Sequence, residues 1–209
     1  MSLPAPLGES FGNAGGSLDN FHTWGKGQDQ GAADIGKTGE IKTAAILDKL
    51  ANRAGGPTVL HDLNIPLPRI TANIDHALVS GRNVLLIDAK VWKPGIYWTF
   101  RGVNRRGFEK IPHTQKQTMK MASDAITGYL RNNGVNATIL HPILVVWPSS
   151  RKAKLHLRFL KVPGASVVHS DNMSSRKGVL GGLNRTKLKP WASDTANPDV
   201  VAALVKLLN

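Results

Sequence analysis

Apolar side chains recur at helical spacing between residues 37 and 52, where the sequence reads KTGEIKTAAILDKLAN. Glu40, Leu47 and Leu50 fall on one face of this predicted helix, so we expect the glutamate to point toward a sheet rather than toward solvent. Residues 1–35 have neither helical nor strand periodicity and are rich in Gly, Ser, Asn, Asp and Gln. We interpret them as a flexible or loosely docked arm.

The middle of the chain has the short apolar and alternating segments that are typical of strands. Strands are predicted at 58–65, 73–80, 83–92 and 95–100. Ser80-Gly81-Arg82 is short enough to join the second and third of these as an antiparallel hairpin. A second helix is predicted from Thr114 to about Asn132, with Thr114 and Gln117 forming a capping box. Its expected apolar stripe consists of Thr118, Ala122, Ala125 and Tyr129.

The remaining pattern predicts mixed elements after the second helix. A buried strand is expected at 137–148, half-exposed strands at 154–162 and 165–170, and a helix opened by Pro198 at 198–209. The order α-β-β-β-α-β followed by mixed elements indicates an α/β fold with a mixed sheet, in one domain. We divide it into an arm at 1–35, a core at 36–150, and a basic C-terminal extension at 151–209 that completes the same domain.

The composition adds a strong positive charge and excludes several kinds of site. The formal net charge is +13, and residues 1–35 hold only one lysine against four acids, so the rest of the chain is more basic still. Such a charge attracts polyanions, of which nucleic acid is the commonest, with a solvated surface or anionic lipid as the alternative. The absence of cysteine excludes disulfides, thiolate zinc sites and cysteine nucleophiles. Without a long apolar run or a secretory signal pattern, we expect a cytoplasmic protein and no membrane contact.

Gly31–Thr38, with the sequence GAADIGKT, fits the phosphate-loop pattern of nucleotide-binding ATPases. Such a loop follows a buried strand, yet the preceding FHTWGKGQDQ has no run of aliphatic residues, and Asp34 would bring a negative charge to the phosphates. The segment VLLID at 84–88 does resemble a strand that ends in a magnesium-binding aspartate. An ATPase is therefore kept as the less favoured alternative to a glycine-rich linker that leads into a helix.

Asp75, Asp88 and Lys90 carry the strongest chemical signal. The side chains of Asp88 and Lys90 project from the same face of a strand that begins as an unbroken apolar run. The predicted hairpin places Asp75, on the neighbouring strand, roughly level with them. Burying these charges is costly unless they pair or bind a metal. Glu40 adds a third carboxylate, and hard oxygen donors suit Mg²⁺ or Mn²⁺. The alternatives are an ordinary salt bridge for Asp88 and Lys90 and a surface helix acid for Glu40. His76, on the opposite face, is interpreted as a packed structural residue.

Three segments resemble the nuclease-related domain family, a branch of the PD-(D/E)xK nuclease superfamily. They are Gly39-Glu40 at a helix, NIDHALVSGRNVLLIDAK at 73–90, and PHTQ at 112–115, and the resemblance covers roughly residues 36–150. It implies a restriction-endonuclease-like αβββαβ core and a metal-dependent phosphodiesterase. Two positions depart from the superfamily pattern, because Ile74 stands where the nominal motif has proline and Asp88 where many relatives have glutamate.

The resemblance also implies roles for individual residues. Asp75, Asp88 and the backbone carbonyl of Ala89 would bind Mg²⁺, for which Mn²⁺ could substitute, and Glu40 would complete or support this metal shell. Lys90 would orient the attacking water and stabilise negative charge.

The resemblance further assigns Gln115 to the water or the scissile phosphate. The expected activity is Mg²⁺-dependent hydrolysis of nucleic acid, and DNA is preferred by family analogy alone. A non-catalytic nucleic-acid-binding module that retains the fold is the alternative. Trp92, Trp98 and Trp191 are candidates for stacking on unpaired bases, with core packing as the alternative for each. Phosphate contacts are expected from Arg105, Arg106, Lys116, Lys120, Arg151, Lys152 and Lys154.

Overall fold

The computed structural model describes residues 6–16, 30–68, 70, 72–150, 154–173 and 195–209, with residues 30–33 and 113 described by their backbone only. Within these ranges the α-helices are α1 (Gln30–Ala51), α2 (Thr118–Asn132) and α3 (Pro198–Val205). The strands are β1 (Ser10–Phe11), β2 (Thr58–Asn64), β3 (Asn73–Ser80), β4 (Asn83–Trp92), β5 (Gly95–Phe100), β6 (Val103–Arg106), β7 (Glu109–Lys110), β8 (Thr138–Ile139), β9 (Ile143–Pro148), β10 (Leu155–Phe159) and β11 (Ser166–His169). Short 3-10 helices lie at Pro112–Gln115 and Ser170–Asn172.

The main sheet is mixed and has the strand order β1-β2-β3-β4-β9-β11, with β8 pairing beside β4. Strand β3 is antiparallel to both of its neighbours, β2 and β4, whereas β9 runs parallel to both β4 and β11. The hairpin between β3 and β4 pairs Ser80 with Asn83 and turns at Gly81, whose φ of 54° suits a residue without a side chain. The strands predicted at 58–65, 73–80, 83–92 and 95–100, the hairpin and the αβββαβ order are confirmed.

Helices cover both faces of the main sheet. On one face Leu47 and Ala51 of α1 pack against Leu78, Leu85 and Val145. On the other face α2 and α3 pack against the alternate side chains of the same strands, through Ala122, Ile126, Val200 and Leu204. Strands buried on both sides explain the unbroken apolar run in β4. None of the helices in the described ranges is long and apolar enough to cross a membrane.

A second sheet has four strands in the order β10-β5-β6-β7. Strands β5, β6 and β7 lie between β4 and α2 in the chain, and β10 is added from the segment that follows β9. It joins the core through Trp92 and Tyr97, whose rings stack with their centroids 5.0 Å apart. Buried Asn104 accepts a hydrogen bond from Thr99 Oγ1 at 2.7 Å and donates one to Thr114 Oγ1 at 2.9 Å. These contacts fix the small sheet against the 3-10 helix that precedes α2. Only β5 and β10 of this sheet were predicted.

Helix α1 begins at Gln30, seven residues before the predicted start. Gly31–Thr38 therefore lies in a helix rather than in a loop, and the backbone amides from Asp34 to Thr38 are used by helical hydrogen bonds. Thr38 Oγ1 likewise donates to the Asp34 carbonyl at 2.9 Å. The phosphate-loop interpretation is wrong. The arm at 1–35 also needs correction, because its described part contributes β1 to the sheet, with Ser10 opposite Val59.

Helix α2 begins at Thr118, and the predicted capping box is wrong. Gln117 is the N-cap residue without a side-chain cap, while Thr114 lies in the 3-10 helix and donates to the Ile111 carbonyl at 2.8 Å. The fully buried positions of α2 are Met119, Ala122, Ile126 and Leu130. Of the predicted stripe, Ala122 is confirmed and Ala125 and Tyr129 pack partly buried against the same core, whereas Thr118 does not belong to it. The strand predicted at 137–148 is divided into β8 and β9 around Pro142, which lacks an amide proton for the sheet.

Candidate active site

The ammonium of Lys90 contacts three oxygens at the end of β4. Its Nζ lies 2.8 Å from Asp88 Oδ1 and 3.7 Å from Asp75 Oδ2, and it donates to the Ala89 carbonyl at 3.2 Å. The Ala89 amide in turn donates to Asp75 Oδ2 at 2.6 Å, which fixes that carboxylate against β4. Two carboxylates and one carbonyl therefore converge on a single positive charge.

The hairpin register explains why these side chains meet. His76 pairs with Ile87 across β3 and β4, so the next pair along the strands brings Asp75 beside Asp88. Asp75 is 5% exposed and Asp88 is 16% exposed, whereas Lys90 is 46% exposed. The cluster is thus buried on its Asp75 side and opens to solvent at the lysine.

Glu40 is held near this cluster by the close packing of α1 on β4. A Cβ atom on Gly39 would lie only 2.7 Å from Val91 Cγ2, so this approach requires glycine. The next residue, Glu40, is buried at 7% exposure. It occupies the middle of α1 rather than the predicted first turn, but it does face the protein interior as expected.

The electrostatics of the cluster oppose full ionisation of its carboxyl groups. Burial raises the pKa of Glu40 to about 7, an effect that Lys90 opposes and that Asp88 and Asp62 strengthen. Burial also raises the pKa of Asp75 well above its usual value, and the charges of Asp88 and Glu40 add to this, while Lys90 opposes it. For Lys90, burial alone would lower the pKa, but the two aspartates outweigh it and the pKa rises. Ionising Glu40 and Asp75 together with Asp88 is therefore costly, and the positive charge of Lys90 partly offsets that cost.

The donor chemistry fits a hard divalent cation. Carboxylate and carbonyl oxygens are the ligands that Mg²⁺ and Mn²⁺ prefer, and those of Asp75, Asp88 and Ala89 already converge on Lys90 Nζ. Within the described ranges, however, no group of three or more His, Cys, Asp or Glu side chains is arranged to hold a metal ion. The fit therefore depends on two carboxylates and a backbone carbonyl, and the metal role of Glu40 stays a prediction.

Gln115 lies at the end of the 3-10 helix, beside the turn between β5 and β6. Its Nε2 donates to the Gly102 carbonyl, and none of the described hydrogen bonds joins it to the carboxylates or to Lys90. It lines an open cleft of about 390 Å³ together with Arg101, Asn104 and Lys161. Its predicted contact with water or phosphate stays a prediction.

Asp62 is a residue of this region that sequence reasoning missed. It is 3% exposed, its φ is 60°, and its carboxylate accepts a hydrogen bond from Asn73 Nδ2. Leu60 and Leu63 consequently pack in the same cluster, although residues three apart on a regular strand face opposite sides. A positive φ is uncommon outside glycine, although aspartate adopts it more readily than most residues. The sequence LHDLN reads as a regular strand, so nothing in it signals this kink.

His76 is fully buried, as predicted, and belongs to a polar chain rather than to the carboxylate cluster. Its Nδ1 lies 2.8 Å from His61 Nδ1, and His61 Nε2 lies 3.0 Å from Asp48 Oδ1. Ser10 of β1 donates to the same Asp48 oxygen at 2.6 Å. Burial, with the neighbouring His61, holds the pKa of His76 well below its usual value, so the imidazole packs in its neutral form.

The residues predicted to contact phosphates lie in different surroundings. Arg106 pairs with Glu109 at 2.5 Å and Lys120 with Asp124 at 2.7 Å, so both already have an acidic partner. Arg105 lies over the ring of Trp98. Lys116 and Lys154 are exposed, while Arg151, Lys152 and Trp191 lie outside the described residues. Trp92 stacks on Tyr97 in the core, so core packing, the alternative to base stacking, is confirmed for Trp92.

A mixed sheet flanked by helices, with two aspartates and a lysine meeting on adjacent strands near a buried glutamate, defines a nuclease-like α/β domain. A family model described as the nuclease-related domain (NERD) matches residues 35–147, which is more than half of the chain. The chain belongs to the nuclease-related domain family, and this membership implies a nuclease-related function with nucleic acid as the substrate class. Searches of curated proteins and of solved structures gave no match.

Proposed function

We propose that this protein is a metal-dependent nuclease that hydrolyses phosphodiester bonds of DNA. The observation that carries the proposal is the convergence of Asp75 Oδ2, Asp88 Oδ1 and the Ala89 carbonyl around the Lys90 ammonium. Family membership supports nucleic acid as the substrate. The strong positive charge of the chain supports a polyanionic partner as well.

Asp75, Asp88 and the Ala89 carbonyl would hold Mg²⁺, or Mn²⁺ in its place, with Glu40 supporting the shell. When bound, such an ion lowers the pKa of a coordinated water and neutralises phosphate oxygens. The Ala89 amide holds Asp75 in position, and the exposed side of the cluster is where a phosphate can approach. Lys90 lies at that side and provides a fixed positive charge where negative charge develops during hydrolysis.

A non-catalytic nucleic-acid-binding module is the competing function, and the ion pair between Lys90 and Asp88 favours it. At 2.8 Å this pair already neutralises one of the two carboxylates without any metal. Such a module would bind nucleic acid with strong salt dependence and would leave its phosphodiester bonds intact.

The test is cleavage of labelled single-stranded, duplex and forked DNA, and of single-stranded RNA, in Mg²⁺, in Mn²⁺ and in EDTA. Wild type is compared with Asp88→Asn and with Asp124→Asn, which neutralises another aspartate that pairs with a lysine but lies on the surface of α2. We expect metal-dependent cleavage by wild type and Asp124→Asn, and its loss in Asp88→Asn. Binding without cleavage in every metal would instead establish the non-catalytic module, and cleavage of RNA alone would contradict DNA as the substrate.

A further inference from the structure

The outer face of the small sheet exposes a row of aromatic side chains. On β5, Ile96, Trp98 and Phe100 alternate with Tyr97, which packs into the core, and Phe100 is 54% exposed. Phe159 of β10 pairs with Trp98 across the sheet and is 67% exposed. Because directly paired residues share a face of the sheet, these rings form one surface, and large exposed aromatic patches usually mark a binding site.

Each of these rings has a guanidinium above it. Arg101 lies 5.3 Å from the centroid of Phe100, Arg105 lies 6.0 Å from that of Trp98, and Arg158 lies 5.6 Å from that of Phe159. These distances are within the range of cation–π contacts. We call this surface the aromatic-arginine face, and it consists of Trp98, Phe100, Arg101, Arg105, Arg158 and Phe159.

The charge around this face is almost entirely positive. The four strands of the small sheet and the two turns that join β5, β6 and β7 carry one acid, Glu109. That acid is paired with Arg106, whose cross-strand neighbour is the core residue Tyr97, so both belong to the opposite side of the sheet. The face therefore presents planar rings together with arginines that take part in none of the ion pairs among the described residues.

We propose that the aromatic-arginine face binds nucleic acid with unpaired bases. Flat rings offer stacking surfaces to bases of any sequence, and adjacent arginines contact the phosphates. The ring centroids of Trp98 and Phe100 are 6.1 Å apart, so two adjacent bases of one strand can each stack on one of these rings. The bases of a duplex already stack on one another, so a duplex can bind this face only through contacts between its phosphates and the arginines.

The face is also joined directly to the carboxylate cluster. Lys90 is followed by Gly95, the first residue of β5, after four intervening residues, so the same chain segment carries the cluster and the rings. The strand that carries the cluster therefore leads along the chain into the sheet that carries the rings. This inference rests on the proposed function, because it specifies the form of nucleic acid that the nuclease takes.

The test is fluorescence anisotropy in EDTA with a labelled oligothymidylate and with a hairpin duplex of equal length. Two variants, Phe100→Leu and Phe159→Leu, keep an apolar side chain but remove the aromatic ring. A third, Arg105→Lys, keeps the positive charge but removes the planar guanidinium group. Ile41→Ala is the control, because Ile41 is 48% exposed on α1, away from this face. Both phenylalanines are more than half exposed, so the fold should tolerate their replacement.

We expect each phenylalanine variant to weaken single-strand binding by about fivefold or more. Duplex binding should change by less than about twofold, because it depends on charge. Arg105→Lys should weaken single-strand binding with the salt dependence retained, and Ile41→Ala should change neither. Equal losses for both DNA forms, or no loss for the single strand, would overturn the inference.

Two further measurements identify other occupants of the face. If the variants lose binding to phosphatidylserine-containing vesicles, or lose self-association in sedimentation, while single-strand binding is unchanged, the inference is overturned. Cleavage in Mn²⁺ is measured in parallel. Cleavage retained without any single-strand preference refutes this inference alone, whereas single-strand binding retained without cleavage refutes the proposed function alone.

Discussion

Replacing Glu40 by glutamine removes a buried carboxylate while keeping the size of the side chain. The pKa of this carboxyl rises from 4.5 to about 7, chiefly because it is buried. The folded state therefore binds the Glu40 proton more tightly than the unfolded state does, and the resulting stability is complete below pH 4.5. It is lost progressively as the pH rises through about 7, where Glu40 ionises inside the protein.

The size of the effect follows from the pKa difference. One pKa unit corresponds to about 1.4 kcal/mol, so ionised Glu40 lowers the free energy of unfolding by about 3 kcal/mol at most. Since glutamine cannot ionise, Glu40→Gln should gain stability relative to wild type as the pH is raised from about 5 to about 8. In a domain of this size the gain corresponds to roughly 6 to 12 °C in Tm.

The assay is urea unfolding in EDTA at both pH values, with Glu9→Gln as the matched control at an exposed glutamate. From the lower to the higher pH, the free energy of unfolding should fall by the same amount in wild type and in Glu9→Gln. It should fall by less in Glu40→Gln. Adding Mn²⁺ at the higher pH should recover more stability in wild type than in Glu40→Gln, because a cation compensates the buried charge. Parallel pH profiles for wild type and Glu40→Gln would refute the reasoning that ionised Glu40 is destabilising.

Three further predictions concern the parts of the fold that position the site, each measured by urea unfolding. Gly39→Ala should destabilise by about 1–3 kcal/mol, because its Cβ would lie 2.7 Å from Val91 Cγ2. Gly128→Ala, on an open face of α2, should instead stabilise by about 0.5–1 kcal/mol, and equal effects would contradict the packing argument. Asp62→Ala should cost about 1–2 kcal/mol at a φ of 60°, and Asp62→Asn much less, since asparagine tolerates this conformation. Asn104→Ala should cost about 1–3 kcal/mol by leaving two threonine hydroxyls without their buried partner, and a neutral result would mean that the small sheet is held by other contacts.

Local patterns predicted the centre of the fold well. Strands β3 and β4 begin and end where their apolar runs and the Ser80-Gly81-Arg82 turn indicate, because hairpin register depends on neighbouring residues. That register is also what brings Asp75 to Asp88, so the core of the candidate site followed from the sequence. The interior orientation of Glu40 followed from helical spacing in the same way.

Features that depend on tertiary packing could not be predicted. Strands β6 and β7 are short and polar, so their sequences VNRR and EK carry no strand signal without β5 beside them. The hydroxyl of Thr114 is engaged by Asn104 from another element, and this contact prevents the predicted cap. The kink at Asp62 is a backbone conformation that no residue type in LHDLN requires.

The central claim is that the cluster around Lys90 hydrolyses phosphodiester bonds. The most direct measurement is single-turnover cleavage of labelled single-stranded DNA in Mn²⁺ by wild type and Lys90→Ala, with DNA binding measured in EDTA. We predict that Lys90→Ala slows cleavage by roughly a hundredfold or more while binding is retained, because a positive charge at the developing negative charge is lost. Cleavage at the wild-type rate by Lys90→Ala would show that this cluster does not hydrolyse the phosphodiester bond.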